Sequence, residues 1–365
     1  MLEEIAPARL AETWDQVGLQ VGDPNTPITT VAVALDPLPE VIYAAGEAGA
    51  GLLVTHHPLI FRPISSITPS NKTGQAIFAA IKSHVAVFAA HTNLDKAMGG
   101  VNDALAQTIG LTELEPLVPG APEEMLKLTV FVPVGYEPMV RQALCRGAVG
   151  RIGAYDECTF QARGWGSFRP GANTSPFSGH KGQLNLESET RLEVLLPKTE
   201  LSAALTRLHD VHPYEEPAYD VYPLVTAASS LGLGRVGRLS DIISLREFCL
   251  LLKDRLSIRG MRVVGDLNAS IRRVAVCGGS GGDLTAQARR CGVDVLVTGD
   301  VTYHTALECA GGVPAVVDVG HFSSEVVVVA ALAKMLADRC EREKLNITVL
   351  EMNNQSDPFT FFTDH

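Results

Sequence analysis

Two histidines each stand four residues before a carboxylate, with one such pair in either half of the chain. His91 precedes Asp95, and His321 precedes Glu325. Both histidines follow an apolar run that is typical of a buried strand. Residues four apart share one face of a helix, so each pair can direct both side chains to one point if a helix starts there. Imidazole and carboxylate groups in this arrangement predict a metal site.

A third candidate element is the adjacent pair His56 and His57, which follows the apolar run of residues 51–55. Neighbouring side chains of a strand diverge, so these imidazoles reach two different points. The carboxyl ends of parallel strands are also where open α/β sheets bind ligands. We therefore predict a site for two divalent ions, and its nitrogen and oxygen donors fit Zn, Mn, Fe or Co alike. Such a site suits hydrolysis, with metal binding without catalysis as the alternative.

An internal duplication predicts the elements that position these residues. Val31 lies 24 positions before Thr55, and Val274 lies 24 positions before Thr298. In both copies an apolar strand, a turn, a helix-compatible stretch and a second β-branched run follow one another, which is the period of a parallel β-α-β unit. A further apolar run then precedes each His–carboxylate pair. We predict two related α/β half-domains that form one core and present the pairs at equivalent points.

A second duplication lies in the middle of the chain. Residues 128–133 and 192–197 each form an apolar run that ends in proline, and an amphipathic helical stretch follows both. Two β-α-β copies of this size resemble a ferredoxin-like α+β domain, inserted here between the two halves of the core. The predicted domains are residues 1–124 and 226–365 for the two halves of the metal core, and residues 125–225 for the insert.

Two further segments contain residues with a possible role near the site. The glycine-rich run 278–282 follows a strand, as phosphate-binding loops do, but it lacks the lysine of a Walker motif, which favours a tight turn. Asp300, Tyr303 and His304 follow the second strand of the second copy, at the position that His56 and His57 hold in the first. We expect them near the site, where they would orient ligands, contact substrate or transfer protons, with His304 as the candidate for proton transfer. Structural packing is the alternative.

Composition limits the class of protein. The 365 residues have a formal net charge of −11, which argues against binding to nucleic acid or to an anionic membrane. The seven cysteines are scattered and form no Cys-x-x-Cys motif, so we expect reduced thiols in a cytoplasmic protein. The amino terminus has no signal-peptide pattern, and the longest apolar run, 326–332, is too short to span a bilayer.

Five motifs, taken in their order along the chain, resemble the Nif-three-like family, whose members are named GTP cyclohydrolase type 2 homologues. The motifs are Trp14–Leu19, Thr55–Pro58, His91–Asp95, Gly299–His304 and Gly320–Glu325. The resemblance covers essentially the whole chain. The middle segment is similar to the insert of the longer bacterial members, which is related in fold to the trimeric PII and CutA proteins.

The resemblance implies a dinuclear metal site in which Glu325 bridges the two ions. Its ligands would be His56, His57, Asp95, His321 and Glu325. His91 is placed beside the site, as a supporting residue or an optional ligand, on the duplication alone. The resemblance also implies a toroidal homohexamer whose metal sites face an internal cavity.

The predicted function is metal-dependent hydrolysis of a nucleotide or a related heterocycle, with opening of the guanine ring of GTP as the example that the family name suggests. Two alternatives remain open. One is a non-catalytic hexamer that handles metal or senses a small molecule through the insert, and the other is a scaffold for partner proteins.

Overall fold

The computed structural model describes residues 1–120, 124–153, 155–225 and 230–362. It divides into two compact units. The first unit combines residues 1–120 with those from 230 onward, so the two ends of the chain fold together. The second unit lies within residues 121–229. The predicted domain boundaries fall beside residues outside the described ranges and stay predictions.

Helices and strands alternate along most of the chain. The first segment contains α1 (Leu2–Ile5), β1 (Gly18–Val21), β2 (Thr30–Ala34), α2 (Pro39–Glu47), β3 (Leu52–Thr55), α3 (Lys72–Ser83), β4 (Ala86–Ala89), α4 (Thr92–Lys96), α5 (Val101–Ile109) and β5 (Thr112–Pro119). The second unit contains β6 (Met125–Pro133), α6 (Glu137–Leu144), β7 (Thr159–Phe168), β8 (Asn185–Pro197), α7 (Leu201–Val211) and β9 (Tyr219–Pro223). The last segment contains β10 (Gly232–Ser244), α8 (Leu245–Arg255), β11 (Arg262–Val264), β12 (Ser270–Ser280), α9 (Thr285–Arg290), β13 (Val295–Gly299), α10 (Tyr303–Cys309), β14 (Ala315–Asp318), α11 (His321–Glu325), α12 (Val327–Arg342) and β15 (Thr348–Glu351).

The first unit contains two sheets with the same central arrangement. Their strand orders are β1-β4-β3-β2-β15 and β11-β14-β13-β12-β10-β5. Three neighbouring strands run parallel in both sheets, and a short antiparallel strand lies beside the third. The first sheet adds β15 as a fourth parallel strand beside β2. Val31 pairs with Leu52 in one sheet and Val274 pairs with Val295 in the other, so the registers match as well. The predicted pair of related α/β half-domains is confirmed.

Apolar residues cover both faces of the central strands, which is why these strands are continuous β-branched and apolar runs. All of β13 is buried, as are the last four residues of β2. Helix α5 joins the two cores, because Val101 packs in the core of the first sheet while Leu105 and Ile109 pack in the core of the second. None of the helices in the described ranges has both the length and the apolar character that a membrane span requires.

The second unit is an antiparallel sheet of four strands in the order β7-β8-β6-β9. The chain passes through it as β-α-β-β-α-β, which with this strand order is the ferredoxin-like arrangement. Its core packs Leu128 and Val130 of β6 with Leu192 of β8 and Leu208 of α7. The predicted α+β insert is confirmed.

A buried ion pair fastens β10 to α5 in the first unit. The Arg235 guanidinium donates to both carboxylate oxygens of Asp103 at 2.7 and 2.8 Å. It also donates to the carbonyl groups of Ala97, Gly232 and Gly234, so its donors are used within the fold. Arg235 is only 2% exposed, and loss of this side chain would leave the Asp103 carboxylate without its partner.

We expect Arg235→Met to lower the free energy of unfolding of the first unit by about 3–5 kcal/mol, because it leaves an uncompensated, largely buried charge. Chemical denaturation measures this change. The matched control is Arg238→Met on the same strand, since Arg238 pairs with Glu113 at the surface, where the loss should stay below about 1 kcal/mol. Equal effects of the two substitutions would contradict the stabilising role of the buried pair of Arg235 and Asp103.

Candidate metal centre

His56 and His57 continue directly from β3 at the carboxyl end of the first sheet. Their backbone N–H groups donate to Ala34 and Leu35, so the ladder between β3 and β2 extends over both residues. His56 is fully buried, whereas His57 is part-buried. Their ring centroids lie 5.0 Å apart with 42° between the ring planes, so the two imidazoles are tilted relative to each other.

The two His–carboxylate pairs lie at the beginning of short helices. His91 immediately precedes α4, and α11 begins at His321. Both helices follow the third parallel strand of their sheet, because β4 and β14 occupy equivalent places. In α11, Nε2 of His321 lies 3.1 Å from Oε2 of Glu325, one turn later. Oδ1 of Asp95, in α4, lies 3.7 Å from Nε2 of His56.

All four imidazoles of the site are held in the same manner, by an oxygen that contacts Nδ1. A carboxylate or carbonyl oxygen only accepts hydrogen bonds, so the proton of a neutral ring lies on Nδ1 and the lone pair of Nε2 is free to bind a metal. The contacts are His56 Nδ1 to Ala90 O at 2.9 Å, His57 Nδ1 to Asp36 Oδ1 at 2.7 Å, His91 Nδ1 to Asp15 Oδ1 at 2.8 Å, and His321 Nδ1 to Asp300 Oδ2 at 2.7 Å.

The Glu325 carboxylate lies between two sets of donor atoms. Oε2 is 3.0 Å from Nε2 of His57 and 3.1 Å from Nε2 of His321, and these two nitrogens are 3.3 Å apart. Oε1 is 3.6 Å from Nε2 of His56, which is in turn 3.7 Å from the Asp95 carboxylate. Donor atoms that share one ion at about 2.0–2.2 Å are separated by similar distances. Together, His56, His57, Asp95, His321 and Glu325 form what we call the histidine–carboxylate cluster.

Three polar atoms of this cluster are buried without a hydrogen bond. They are Nε2 of His56, Oδ1 of Asp95 and Oε2 of Glu325. The ring nitrogens near Oε2 are close but do not meet the geometry of a hydrogen bond. Leaving such atoms unsatisfied is costly, and bound divalent metal beside them would satisfy all three. The residues therefore fit a bound metal.

Burial and the neighbouring charges together shift the pKa values of the groups in the cluster. Burial alone would raise the pKa of Glu325, but the His56 charge and the contacts with the other imidazoles hold it well below its usual range. Burial would lower the pKa of His57, yet its contacts with Asp36 and Glu325 raise it to about 10. Burial raises the pKa of Asp95 to about 7. The carboxylates thus require positive charge beside them, which protonated imidazoles or a divalent cation can supply.

The glycine-rich run 278–282 supports the cluster instead of opening to solvent. The N–H groups of Gly278, Gly279 and Gly281 donate to side-chain oxygens of the protein at 2.8–2.9 Å. These amides are therefore engaged within the fold, which agrees with a structural turn and not with a phosphate-binding loop. Gly279 has a φ of +63°, and a Cβ atom there would lie 2.2 Å from Oε1 of Glu325. Only glycine leaves room for this carboxylate.

Asp300, Tyr303 and His304, which were predicted to lie near the site, differ from one another in their surroundings. Asp300, with a φ of +53°, holds the ring of His321. Tyr303 is 75% exposed and His304 is also exposed, and their rings pack 5.6 Å from each other. Among the described residues, His304 is not part of either group of neighbouring side chains that could hold a metal ion. Proton transfer by His304 stays a prediction.

His91 lies at the edge of the cluster. Its ring centroid is 5.2 Å from that of His56 and 5.8 Å from that of His57, and these three residues can bring nitrogens within 4.8 Å of one another. Burial, followed by the His56 charge, lowers the pKa of His91, so its ring is readily neutral. This position suits either role that was predicted for it.

Sequence reasoning missed the carboxylates that hold the imidazoles in the first sheet. Asp36 lies two residues after the end of β2, at the same edge of the sheet as His57, and this position could have identified it. Asp15 accepts from the backbone N–H and the hydroxyl of Thr92 as well as contacting His91. Gln355 could not have been found by spacing, since it reaches the site from the carboxyl-terminal segment. Its Oε1 accepts from the N–H groups of Leu35 and Asp36 at 3.1 and 2.7 Å.

Comparison with known proteins identifies the family of this chain. Residues 1–358 match the model of a family described as Duf34/NIF3 (NGG1p interacting factor 3). The chain belongs to the Duf34/NIF3 family. The Nif-three-like resemblance that the five motifs predicted is therefore confirmed.

Several known proteins are similar to this chain over nearly all of its length. The "GTP cyclohydrolase 1 type 2 homolog" of Bacillus subtilis (strain 168) is 41% identical over 361 residues, or 99% of this chain and 96% of the relative. The solved structure of a Bacillus cereus protein related to NIF3 is 40% identical with a TM-score of 0.85, covering 99% of this chain and 96% of that one. Staphylococcus aureus protein SA1388 is 30% identical with a TM-score of 0.80, covering the same shares.

We expect Gly279→Ala to lower the amount of bound divalent metal while the fold is retained, because the added methyl group displaces the Glu325 carboxylate. Elemental analysis after dialysis against Zn²⁺ or Mn²⁺ measures the metal. Gly282→Ala in the same run is the matched control, since its Cβ would meet Thr305 at an ordinary 3.6 Å. Full metal content in the Gly279 variant would show that this glycine is not needed.

We expect Asp36→Asn to weaken metal affinity about 10–100-fold, because the amide no longer fixes the proton of His57 on Nδ1. Competition with a coloured chelator measures the affinity. Asp23→Asn, which changes an exposed carboxylate in a turn, should have no effect. An unchanged affinity in the Asp36 variant would mean that its contact with His57 does not orient a ligand.

Proposed function

We propose that this protein is a metal-dependent hydrolase with a dinuclear centre. The observation that carries the proposal is the position of Glu325, whose two oxygens face different groups. Oε2 approaches Nε2 of His57 and of His321 at 3.0 and 3.1 Å, whereas Oε1 faces His56 at 3.6 Å. A carboxylate in this position can bridge two ions.

The proposed ligands divide between two sites. His57, His321 and Oε2 of Glu325 would hold one ion, while His56, Asp95 and Oε1 of Glu325 would hold the other. His91 would be an optional ligand on the His56 side. The donors are nitrogen and oxygen throughout, which suits Zn, Mn, Fe or Co.

The exposure of the proposed ligand side chains indicates the side from which a substrate would approach. The side chains of His56 and Glu325 are 1% and 5% exposed, whereas those of His57 and His321 are 22% and 36% exposed. A substrate would therefore arrive on the side of His57 and His321, where Asp36 and Asp300 hold the imidazoles in place. When bound, two divalent ions supply Lewis acidity and lower the pKa of water, which is the chemistry of hydrolysis at neutral pH.

We propose a nucleotide or a related nitrogen heterocycle as the substrate. The support is the name of relatives such as the Bacillus subtilis protein, which is called a GTP cyclohydrolase 1 type 2 homolog. In this reading His304, on the neighbouring helix α10, is the candidate that returns a proton to the opened ring.

A second candidate function is metal handling without catalysis. It is favoured by the exposure of His321, because a ligand that is 36% exposed allows exchange of an ion with solvent. Ready transfer of the ion to a chelator, without turnover of any nucleotide, would support this function over hydrolysis.

The toroidal homohexamer is also a proposal, and it rests on membership of the family. Light scattering coupled to size-exclusion chromatography measures the mass of the assembly. A monomeric or dimeric mass would contradict it.

We expect Glu325→Gln to reduce the bound metal and to abolish hydrolysis, because an uncharged amide cannot bridge two cations. Metal content is measured by elemental analysis, and turnover of GTP by chromatography after loading with each metal. Glu308→Gln, on the exposed face of α10, is the control that should leave both unchanged. The hydrolase proposal fails if no metal-loaded sample of the unmodified protein turns over GTP or a related heterocycle.

A further inference from the structure

Three aromatic rings form an open corner beside the histidine–carboxylate cluster. Trp14 and Phe61 lie 5.9 Å apart between ring centroids, and each is 6.3 Å from His91. The angles between the ring planes are 76°, 73° and 87°, so each ring is steeply inclined to the other two. The three rings thus resemble the walls at the corner of a box.

The corner is open to solvent although its rings are large and apolar. Trp14 is 55% exposed and Phe61 is 45% exposed. Burial of aromatic rings is favourable, so two neighbouring rings left in water form a surface that a ligand can cover with a gain in free energy. The place of this pair beside the cluster indicates a ligand that also reaches the cluster.

Both exposed rings are carried by anchored backbone. The residue after Trp14 is Asp15, whose carboxylate binds Thr92 and His91, and the Asp15 N–H donates to the carbonyl of Glu12. The Gln20 side chain holds the residue before Phe61, because it accepts from the Ile60 N–H at 2.9 Å and donates to the Ile60 carbonyl at 3.2 Å. The corner is therefore preorganised, which lowers the cost of binding.

The chemistry of the three walls defines the class of ligand. Trp14 and Phe61 offer apolar ring faces, which suit the faces of a planar ring. The third wall is the imidazole of His91, and its centroid lies 5.2 and 5.8 Å from the rings of His56 and His57. A nitrogen heterocycle combines two apolar faces with a polar edge that can be directed at these histidines.

We propose that Trp14, Phe61 and His91 form a binding site for a planar nitrogen heterocycle of nucleobase size. The heterocycle stacks against one exposed ring, meets the other edge-on, and presents its polar edge to the cluster. The proposal rests on the proposed function for the role of this group as substrate, but the stacking itself does not require the metal.

The test uses the fluorescence of Trp14. The chain has only two tryptophans, so Trp165→Phe leaves Trp14 as the single tryptophan. Guanosine, GTP and inorganic tripolyphosphate are titrated separately into this variant, with and without bound metal. We expect saturable quenching by guanosine and GTP in both states, because a base stacked on tryptophan quenches its emission, and no quenching by tripolyphosphate.

Phe61 is tested in the same background. Phe61→Ala should weaken guanosine binding about 5–150-fold, which corresponds to about 1–3 kcal/mol of base–aromatic stacking, while Phe61→Tyr retains it. Tyr43→Ala removes an exposed aromatic residue of α2 that has no part in the corner, and it should bind guanosine unchanged. Metal content of each variant shows that the neighbouring cluster is intact.

The proposal is overturned if guanosine causes no quenching, if tripolyphosphate quenches equally, or if Phe61→Ala binds guanosine as tightly as the unmodified protein. The result separates this site from the hydrolase function. Turnover of GTP without quenching would reject the corner alone, whereas quenching without turnover under any metal would reject the hydrolase and retain the corner.

Discussion

The burial of the Glu325 carboxylate is the constraint on which the site depends. A carboxylate that is only 5% exposed is stable only with positive charge around it, and imidazoles from both halves of the chain supply it or bind a cation that does. This requirement extends to the backbone, because Gly279 must lack a side chain for the carboxylate to fit. The imidazoles around the carboxylate are held in place in turn, because an oxygen atom contacts Nδ1 of each ring.

The duplicated topology explains how one carboxylate can meet groups from distant parts of the chain. Each sheet ends its parallel strands at one edge, and the third strand of each leads into a short helix that carries a His–carboxylate pair. Helix α5 belongs to both cores and holds the two sheets in one unit. The symmetry is incomplete at the site itself. In the second copy His321 and Glu325 both enter the cluster, whereas in the first copy Asp95 enters it and His91 stays at the edge.

His91 lies between the histidine–carboxylate cluster and the exposed rings of Trp14 and Phe61, and it is one wall of the corner that these rings form. The same residue is oriented by Asp15 and packs against the exposed rings of Trp14 and Phe61. Because the aspartate and the tryptophan are neighbours in the chain, one short segment both orients an imidazole and provides a wall for a ligand. Metal chemistry and recognition of a heterocycle would then be coupled through a few residues that precede β1.

The sequence by itself determined the repeating α/β pattern, the ferredoxin-like insert and the family, because periodic apolar runs and ordered motifs are local properties. The four-residue spacing also pointed to His321 and Glu325, and the resemblance to the family implied the full set of cluster residues. Only the tertiary structure gave the distances from the two Glu325 oxygens to their neighbours and showed that Asp36 and Gln355 support His57. Those contacts join residues far apart in the chain, and their geometry depends on how sheets and helices pack, which no spacing along the sequence encodes.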